Sequence, residues 1–311
     1  MIKVGFFGTP DIARQCLSSI CGKYETVFTV TSSDKAQGRN LKVCCTPVKE
    51  CAEEECIDVF QPDNLKDPEF EKTLMKYNAD IFVVVAYGHL IPRNIFSMPR
   101  LGTINMHPSL LPKYRGAAPV QWALINGETE SGISVQLIDE KLDSGDLVIQ
   151  KKFVIDENIT AGELYSQIIP FACECVSEAI DLLDSGKAVP IKQDHSAATY
   201  CGKITKEIAR IDLSSKSENI HNLVRALNPK PGAWCTFREK HIKIWKTALC
   251  KDVEIPELSA GEIFRVGKKR LFIKTATSAV EIIEIQPENK KVMTAVEFIN
   301  GMRLVEGEVF S

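Results

Sequence analysis

Residues 104–112 read Ile-Asn-Met-His-Pro-Ser-Leu-Leu-Pro, and this stretch governs how the rest of the chain is interpreted. We predict that Thr103 to His107 ends a strand, because Pro108 lacks a backbone donor and stops a ladder of hydrogen bonds. Asn105 and His107 are two positions apart, so their side chains are expected on the same side of the sheet. The stretch therefore predicts an amide and an imidazole side by side where a strand opens into a loop.

Predicted strands and helices alternate around this stretch. Ile2 to Phe7 and Asp80 to Ala86 are apolar runs typical of strands buried on both faces of a parallel sheet. Gly8-Thr9-Pro10-Asp11 reads as a turn into a helix. We therefore predict an α/β, Rossmann-like doubly wound domain, which places its ligands at the carboxyl ends of the strands. The turn lacks the Gly-x-Gly-x-x-Gly fingerprint, which disfavours a nicotinamide cofactor.

A carboxylate is expected at the same edge of the sheet. Residues 139–146 (Asp-Glu-Lys-Leu-Asp-Ser-Gly-Asp) join two predicted strands of a hairpin, with Asp143 at its tip. A lone histidine near a strand end is more often a hydrogen-bonded structural residue than a catalytic one. Here, however, the Asn105 amide and a charged His107 imidazole can stabilise a developing oxyanion, while Asp143 keeps the imidazole charged. This set predicts acyl-type transfer without a covalent intermediate.

The second part of the chain differs in charge and in pattern. Residues 1–205 carry 20 Lys and Arg against 27 Asp and Glu, whereas residues 206–311 carry 18 against 14. Short apolar runs separated by turn residues predict a small β-barrel of the OB type in the basic part. A basic barrel is a mild indication of a polyanionic partner. The predicted domains are 1–192, Rossmann-like; 193–207, an irregular polar linker; and 208–311, the barrel.

Several classes of protein are disfavoured by the sequence. The eleven cysteines are scattered, so we expect reduced thiols and a cytoplasmic location rather than a disulfide framework. No cysteine pair has CxxC spacing with a histidine nearby, so no metal site is expected. A strand already begins at Ile2, which leaves no room for a targeting segment. No apolar run reaches about 18 residues, so no membrane span is predicted.

Two loops are candidates for substrate contact. Residues 34–43 (Asp-Lys-Ala-Gln-Gly-Arg-Asn-Leu-Lys-Val) are polar and basic and follow a predicted strand, although this composition fits an ordinary surface loop equally well. Residues 87–92 (Tyr-Gly-His-Leu-Ile-Pro) lie beside the predicted Asn105 strand. Their backbone groups suit the edge of a planar heterocycle, and we interpret His89 in this loop as structural.

Two motifs together resemble the folate-dependent formyltransferases: Asn105-x-His107-Pro-Ser-Leu-Leu-Pro112 and Leu142-Asp-Ser-Gly-Asp146. Other segments are similar to the branch of that superfamily that acts on methionyl-tRNA. They are Gly8-Thr-Pro10, Arg115-Gly-Ala-Ala-Pro-Val-Gln121, Lys206-Glu-Ile-Ala-Arg-Ile-Asp212 and Gln286-Pro-Glu-Asn-Lys-Lys-Val-Met293. The likeness thus covers nearly the whole chain, whereas the catalytic motifs alone fix the chemistry and not the acceptor.

The resemblance implies transfer of the formyl group of 10-formyltetrahydrofolate to the α-amino group of methionine on initiator tRNA, for translation initiation and without a metal. The implied catalytic residues are Asn105, His107 and Asp143. The implied folate contacts are Ser109, Leu110, Leu111, Pro112, Phe82, Ala86, Tyr87, Gly88 and Ile91. The implied tRNA contacts are Arg39, Lys42 and Lys206. A monomer is expected.

Two alternatives remain open at this point. A formyltransferase acting on a small amine, such as an amino sugar or a purine precursor, would share the catalytic motifs but leave the basic barrel without a role. A catalytically inactive folate- or nucleotide-binding module would keep the Rossmann-like frame but would not need Asn105, His107 and Asp143 together. The intact set disfavours the inactive module.

Overall fold

The computed structural model describes residues 1–37 and 42–311 of the chain. The described residues form two compact units. The first comprises Met1–Pro119, Ser131–Phe153 and Tyr165–Cys201, and the second comprises Val120–Glu130, Val154–Leu164 and Gly202–Ser311.

The first unit contains strands and helices in alternation. Its strands are β1 (Lys3–Gly8), β2 (Glu25–Val30), β3 (Lys35–Gln37), β4 (Lys42–Cys44), β5 (Val59–Phe60), β6 (Ile81–Val85), β7 (Thr103–His107), β8 (Arg115–Gly116), β9 (Glu130–Leu137), β10 (Leu147–Val154) and β11 (Tyr200–Cys201). The helices along the same part of the chain are α1 (Asp11–Cys21), α2 (Pro47–Glu54), α3 (Pro68–Met75), α4 (Arg93–Phe96), α5 (Pro119–Ile125) and α6 (Ala161–Asp184). Helix α5 belongs almost wholly to the second unit, and α6 begins there.

The main sheet has the strand order β10-β9-β7-β6-β1-β2-β5. Strand β1 pairs in parallel with β2 and with β6, and β6 pairs in parallel with β7. Strand β9 joins β7 in the antiparallel direction. From β1 the chain first builds one side of the sheet and then, from β6, the other. The predicted doubly wound α/β fold is confirmed, and the carboxyl ends of β1, β6 and β7 meet at one edge.

The core beside this edge is aromatic. Every residue of β6 is buried, which is why its sequence shows no polar alternation. Phe82 of β6 packs against Phe7 and Phe28, with ring centroids 5.4 and 5.5 Å apart. Burying a side chain of this size contributes about 2 kcal/mol. The strand that carries the Ala86–Gly88 loop is therefore held firmly in place.

The second unit is built around an antiparallel sheet. Its elements are α7 (Ser217–Ala226), β12 (Ala233–Phe237), β13 (Lys240–Leu249), β14 (Ile263–Val266), β15 (Arg270–Lys274), β16 (Ala279–Pro287), β17 (Met293–Thr294) and α8 (Ala295–Met302). The sheet has the order β12-β13-β16-β15-β14, with β17 on β16. The end of the chain links the two outer strands, since Ile263 N of β14 donates to Glu308 O and Ser311 N donates to Thr236 O of β12, each at 2.9 Å. The sheet thus closes on itself, as expected for a small barrel.

Two features of the structure differ from the sequence interpretation. Helix α8 was not predicted, although Thr294 and Glu297 form a capping box that marks its start. The segment interpreted as a linker is partly integrated into the first unit, because β11 pairs in parallel with β8. The boundaries at 192 and 207 stay a prediction, but the segment up to Cys201 has a structural role.

Candidate active site

The end of β7 brings two polar side chains, Asn105 and His107, to the carboxyl edge of the sheet. Asn105 lies opposite Gln136 of β9 in the antiparallel register, and His107 lies opposite Ser134. Directly opposed residues share a face of the sheet, so the Asn105 and Gln136 amides are neighbours. Asn105 and His107 share a face of β7 through their period-two spacing, and the pairing of β7 with β9 places Gln136 on that face.

Asp143 completes the set from the turn between β9 and β10. Its backbone has a φ of 49°, a left-handed conformation that Asp tolerates better than most residues. Oδ1 accepts from Asn105 Nδ2 at 3.4 Å and from Gln136 Nε2 at 3.2 Å. Oδ2 accepts from the Gly116 N–H at 2.8 Å. The carboxylate is therefore oriented by three donors that carry no formal charge.

His107 is held differently from the sequence expectation. The side chain is buried, and its Nε2 lies 2.8 Å from the carbonyl oxygen of Tyr114. A carbonyl only accepts, so Nε2 carries a hydrogen and Nδ1 is the nitrogen left for chemistry. Nδ1 lies 3.7 Å from Asp143 Oδ2, which is ion-pair distance but longer than a hydrogen bond. The structure thus brings the predicted catalytic residues together with Nδ1 facing the carboxylate.

Two glycines allow this close packing. A Cβ on Gly145 would lie 1.7 Å from the carbonyl oxygen of Leu137, and one on Gly116 would lie 2.2 Å from that of Cys201. Gly116 also has a φ of 124°, which L side chains rarely adopt. Its N–H is the donor to Asp143, so the strand pair β8–β11 presents that donor. Gly145, the glycine of the Asp-Ser-Gly-Asp motif, is required because there is no room for a Cβ, and not because its backbone conformation excludes other residues.

The sequence interpretation missed three residues of the site. Gln136 could have been noticed as a polar residue near the end of a predicted strand, at the β9 position facing Asn105. Arg115 and Gln193 are buried beside the Asp143 turn and hydrogen-bond to each other. Gln193 gave no signal, because it lies in a polar segment without periodicity.

The predicted folate residues fall into two groups. Phe82 is 2% exposed in the aromatic core, because both faces of its strand are buried, and its contact with folate stays a prediction. Ser109 and Leu111 are also buried, and the Ser109 hydroxyl donates to Lys113 O at 2.7 Å. These two side chains shape the loop rather than line its surface.

The remaining predicted folate residues surround the edge of the sheet. Ala86 and Gly88 are exposed, with positive φ values of 46° and 84°. Leu110, Pro112 and Ile91 are partly exposed. Tyr87 is buried, which raises the pKa of its hydroxyl to about 12. Their role in folate binding stays a prediction.

The predicted tRNA residues are separated in the chain. Arg39 lies outside the described residues, and Lys42 is the first residue of β4. Lys206 is exposed in the second unit, where its carbonyl accepts from Trp234 Nε1 at 2.9 Å. Their contact with RNA stays a prediction.

The part of the chain that the structure describes contains neither a group of side chains suited to a metal ion nor a helix suited to a membrane. Within residues 1–37 and 42–311, no three His, Cys, Asp or Glu side chains are grouped so that they could hold a metal ion. In the same ranges, no helix combines the length and the apolar character needed to cross a bilayer.

Comparison with known proteins decides the family. Residues 3–180 match the family described as Formyl transferase, and residues 203–303 match Formyl transferase, C-terminal domain. The chain belongs to the formyltransferase family. This membership confirms the resemblance found in the catalytic motifs.

Relatives that match over the full length narrow the family further. The chain is 40% identical to the methionyl-tRNA formyltransferase of Clostridioides difficile (strain 630), over 99% of both chains. It is 38% identical to that of Caldanaerobacter subterraneus subsp. tengcongensis, again over 99% of both. The recognition of the methionyl-tRNA branch from the sequence is confirmed.

A solved formyltransferase shares the fold. The crystal structure of WlaRD, a sugar 3N-formyl transferase, was determined in the presence of dTDP and 5-N-formyl-THF. It has a TM-score of 0.68 and 22% identity to this chain, and the match covers 94% of this chain and 99% of WlaRD. At this identity the likeness supports the fold alone.

Proposed function

We propose that the chain transfers the formyl group of 10-formyltetrahydrofolate to the α-amino group of methionyl-tRNA, with the initiator tRNA as its acceptor. The observation that carries the proposal is the group formed by Asn105, His107 and Asp143 at the carboxyl edge of the sheet, in a chain whose full-length relatives are methionyl-tRNA formyltransferases. The residues that we expect to contact RNA lie in both the loop after Asp34 and the basic second unit.

The chemistry follows from where charge develops. The amine nitrogen attacks the formyl carbon, negative charge builds on the formyl oxygen, and the bond from that carbon to N10 of the folate then breaks. Asn105 Nδ2 has a second hydrogen besides the one directed at Asp143, and we assign it to the oxyanion. His107, when protonated at Nδ1, is the other donor. One preorganised donor of this kind lowers a barrier by about 3–4 kcal/mol.

Asp143 is the group suited to the proton of the amine. A carboxylate has about four acceptor positions, and the donors from Asn105, Gln136 and Gly116 use three. The remaining capacity, next to His107 Nδ1, allows Asp143 to take the amine proton. A proton must reach N10 as the folate leaves, so the two transfers balance.

Substrates are assigned by position. We place the folate against Ala86, Gly88, Ile91, Leu110 and Pro112, because these residues have exposed surface near the edge that holds Asn105. Arg39, Lys42 and Lys206 are assigned to the phosphates of the tRNA, since Lys and Arg supply most of the affinity for a nucleic-acid backbone. We also infer a monomer in the cytoplasm; all eleven cysteines are free thiols, which suits a reducing compartment.

The test is formyl transfer from 10-formyltetrahydrofolate to charged initiator tRNA, with charged elongator methionine tRNA and free methionine as parallel acceptors. Rapid formylation of the initiator alone is the expected result. Turnover of the folate with a small amine, but with neither tRNA, would exclude the assigned acceptor and favour the small-amine alternative. A monomer is checked by light scattering at the assay concentration.

A further inference from the structure

A chain of buried polar side chains runs behind Asp143. Arg115 is 3% exposed and Gln193 is 6% exposed. An Arg115 terminal nitrogen (Nη2) donates to Gln193 Oε1 at 2.7 Å. Gln193 Nε2 lies 2.9 Å from Gln136 Oε1, and Gln136 Nε2 donates to Asp143 Oδ1 at 3.2 Å. The guanidinium is thus connected to the carboxylate through two amides.

Gln193 also holds the backbone of the Asp143 turn. Its Nε2 lies 3.0 Å from Asp143 O and 2.7 Å from Gly145 O. The two amide hydrogens therefore serve three oxygens, counting Gln136 Oε1. Buried polar groups that lose such partners cost about 1–3 kcal/mol each, so this arrangement strongly resists rearrangement.

The direction of both amides is fixed by their neighbours. Arg115 can only donate, so the Gln193 oxygen must face it and the Gln193 nitrogen must face the turn. That nitrogen in turn requires the oxygen of Gln136, which leaves the Gln136 nitrogen for Asp143. If Gln136 turned over, its oxygen would face the carboxylate and repel it. Gln193 therefore determines which atom Asp143 meets.

We propose that Gln193 is a positioning residue for the transfer, which fixes the Asp143 turn through two backbone carbonyls and orients the Gln136 amide toward the Asp143 carboxylate. The residue acts through Asp143 and does not touch the substrate. This inference rests on the proposed function, because it assigns Gln193 a role in the step that Asp143 serves. Arg115 has a supporting part, since it selects the orientation of the Gln193 amide.

Gln193→Glu separates positioning from simple packing. The glutamate keeps an oxygen for Arg115 and gains an ion pair with it, but it cannot donate to the turn. We expect the folded variant to lose about tenfold to a hundredfold in kcat, since a shift near 1 Å can cost this much, while the KM for charged tRNA stays within about twofold. Gln286→Glu is the matched control, because Gln286 Nε2 donates to Lys290 O at 2.9 Å in the second unit. That control should keep wild-type kcat.

A double-mutant cycle shows whether the effect passes through Asp143. In an Asp143→Asn background, Gln193→Glu should lower kcat by less than about twofold further, because the group it positions is already lost. A full additional loss in that background would contradict the proposal, as would wild-type kcat in the folded single variant. If Gln193→Glu fails to fold, Gln136→Glu makes the same test, because it keeps an oxygen for Gln193 Nε2 and replaces the donor to Asp143 by an acceptor.

Amide hydrogen exchange tests the positioning role without a formylation assay, so it does not depend on which molecule accepts the formyl group. In Gln193→Glu the amides of residues 139–146 should exchange faster than in wild type, with the amides of β6 unchanged. Unchanged exchange in the turn would overturn the positioning role. A further outcome is that wild-type protein formylates no tRNA while residues 139–146 still exchange faster in Gln193→Glu. That result would exclude tRNA as the formyl acceptor but would support the positioning of the Asp143 turn by Gln193.

Discussion

Two carboxylates at opposite edges of the same sheet are held in different ways. At the amino edge, Asp80 precedes β6; it accepts from the Lys3 backbone N–H at 2.9 Å and from Arg100 Nε at 2.7 Å. These two donors lower the pKa of the Asp80 carboxyl below its ordinary value. At the carboxyl edge, the donors to Asp143 come from Asn105, Gln136 and the Gly116 backbone, which are uncharged. Asp80 is paired by a cation, whereas Asp143 keeps its charge uncompensated by its hydrogen-bond donors.

The difference shows how one fold separates stability from reactivity. The hydrogen bond from the Lys3 N–H to Asp80 joins the starts of β1 and β6, and the Asp80 charge is neutralised by Arg100. The neutral donors around Asp143 fix its direction, and the acceptor position that they leave open lies next to His107 Nδ1. Replacing the aspartate by asparagine is therefore expected to lower the rate at the carboxyl edge and the stability at the amino edge.

The largest effect is expected from Asp143→Asn. The amide keeps the size of the side chain but cannot take the amine proton, so kcat should fall by about a thousandfold, within the range for general acid–base groups. The measurement is kcat for formylation of charged initiator tRNA between pH 6 and 9, with thermal unfolding as the control for folding. An unchanged rate and pH profile would remove Asp143 from the mechanism.

Loss of either oxyanion donor should come next. Asn105→Ala and His107→Ala should each lower kcat by about a hundredfold or more, because each removes one donor to the developing charge. Single-turnover rates at saturating folate separate this loss from weaker binding. Either variant turning over at near-normal rate while folded would show that its side chain does not stabilise the transition state.

Gly145→Ala should have a smaller effect that acts through geometry. The new Cβ would meet Leu137 O at 1.7 Å, so the Asp143 turn must shift, and kcat should fall by about tenfold to a hundredfold. Gly22→Ala is the matched control, since Gly22 has a right-handed helical backbone and nothing within 4 Å of a Cβ. Equal rates for the two variants would show that the turn tolerates displacement.

The smallest effect on rate is expected from Asp80→Asn. Here kcat should stay within about twofold of wild type, while stability falls by about 1 kcal/mol at pH 7. Because folding lowers the Asp80 pKa, its stabilisation is present above the ordinary carboxyl range and is lost as the pH falls through the lowered value. Urea unfolding at pH 7 and near pH 3 should therefore show the difference between wild type and variant shrinking in acid.

The sequence predicted the parts of the molecule that depend on local pattern. The period-two spacing of Asn105 and His107, the proline after them and the Asp-Ser-Gly-Asp turn were enough to predict a site at the end of β7. The buried run 81–85 predicted a central strand. Helix α8 could also have been predicted, since Thr294-x-x-Glu297 is a capping-box signature.

The other features of the site depend on contacts between residues far apart in the sequence, which local patterns do not predict. Gln193 reaches Asp143 across about fifty residues of sequence, and no periodicity marks such a contact. The choice of Nδ1 as the reactive nitrogen of His107 depends on the Tyr114 carbonyl, which is presented by a residue with a φ of 59°. Phe82 was assigned to folate together with the loop that follows its strand; the structure adds that its side chain is buried in the aromatic core.

The most direct measurement is the single-turnover formylation of charged initiator tRNA by wild type, Asp143→Asn and Asp80→Asn in parallel. We expect rapid transfer by wild type and by Asp80→Asn, and a rate about a thousandfold lower for Asp143→Asn. Similar rates for the two variants would show that the Asp143 carboxylate, and the neutral donors that orient it, do not serve the transfer.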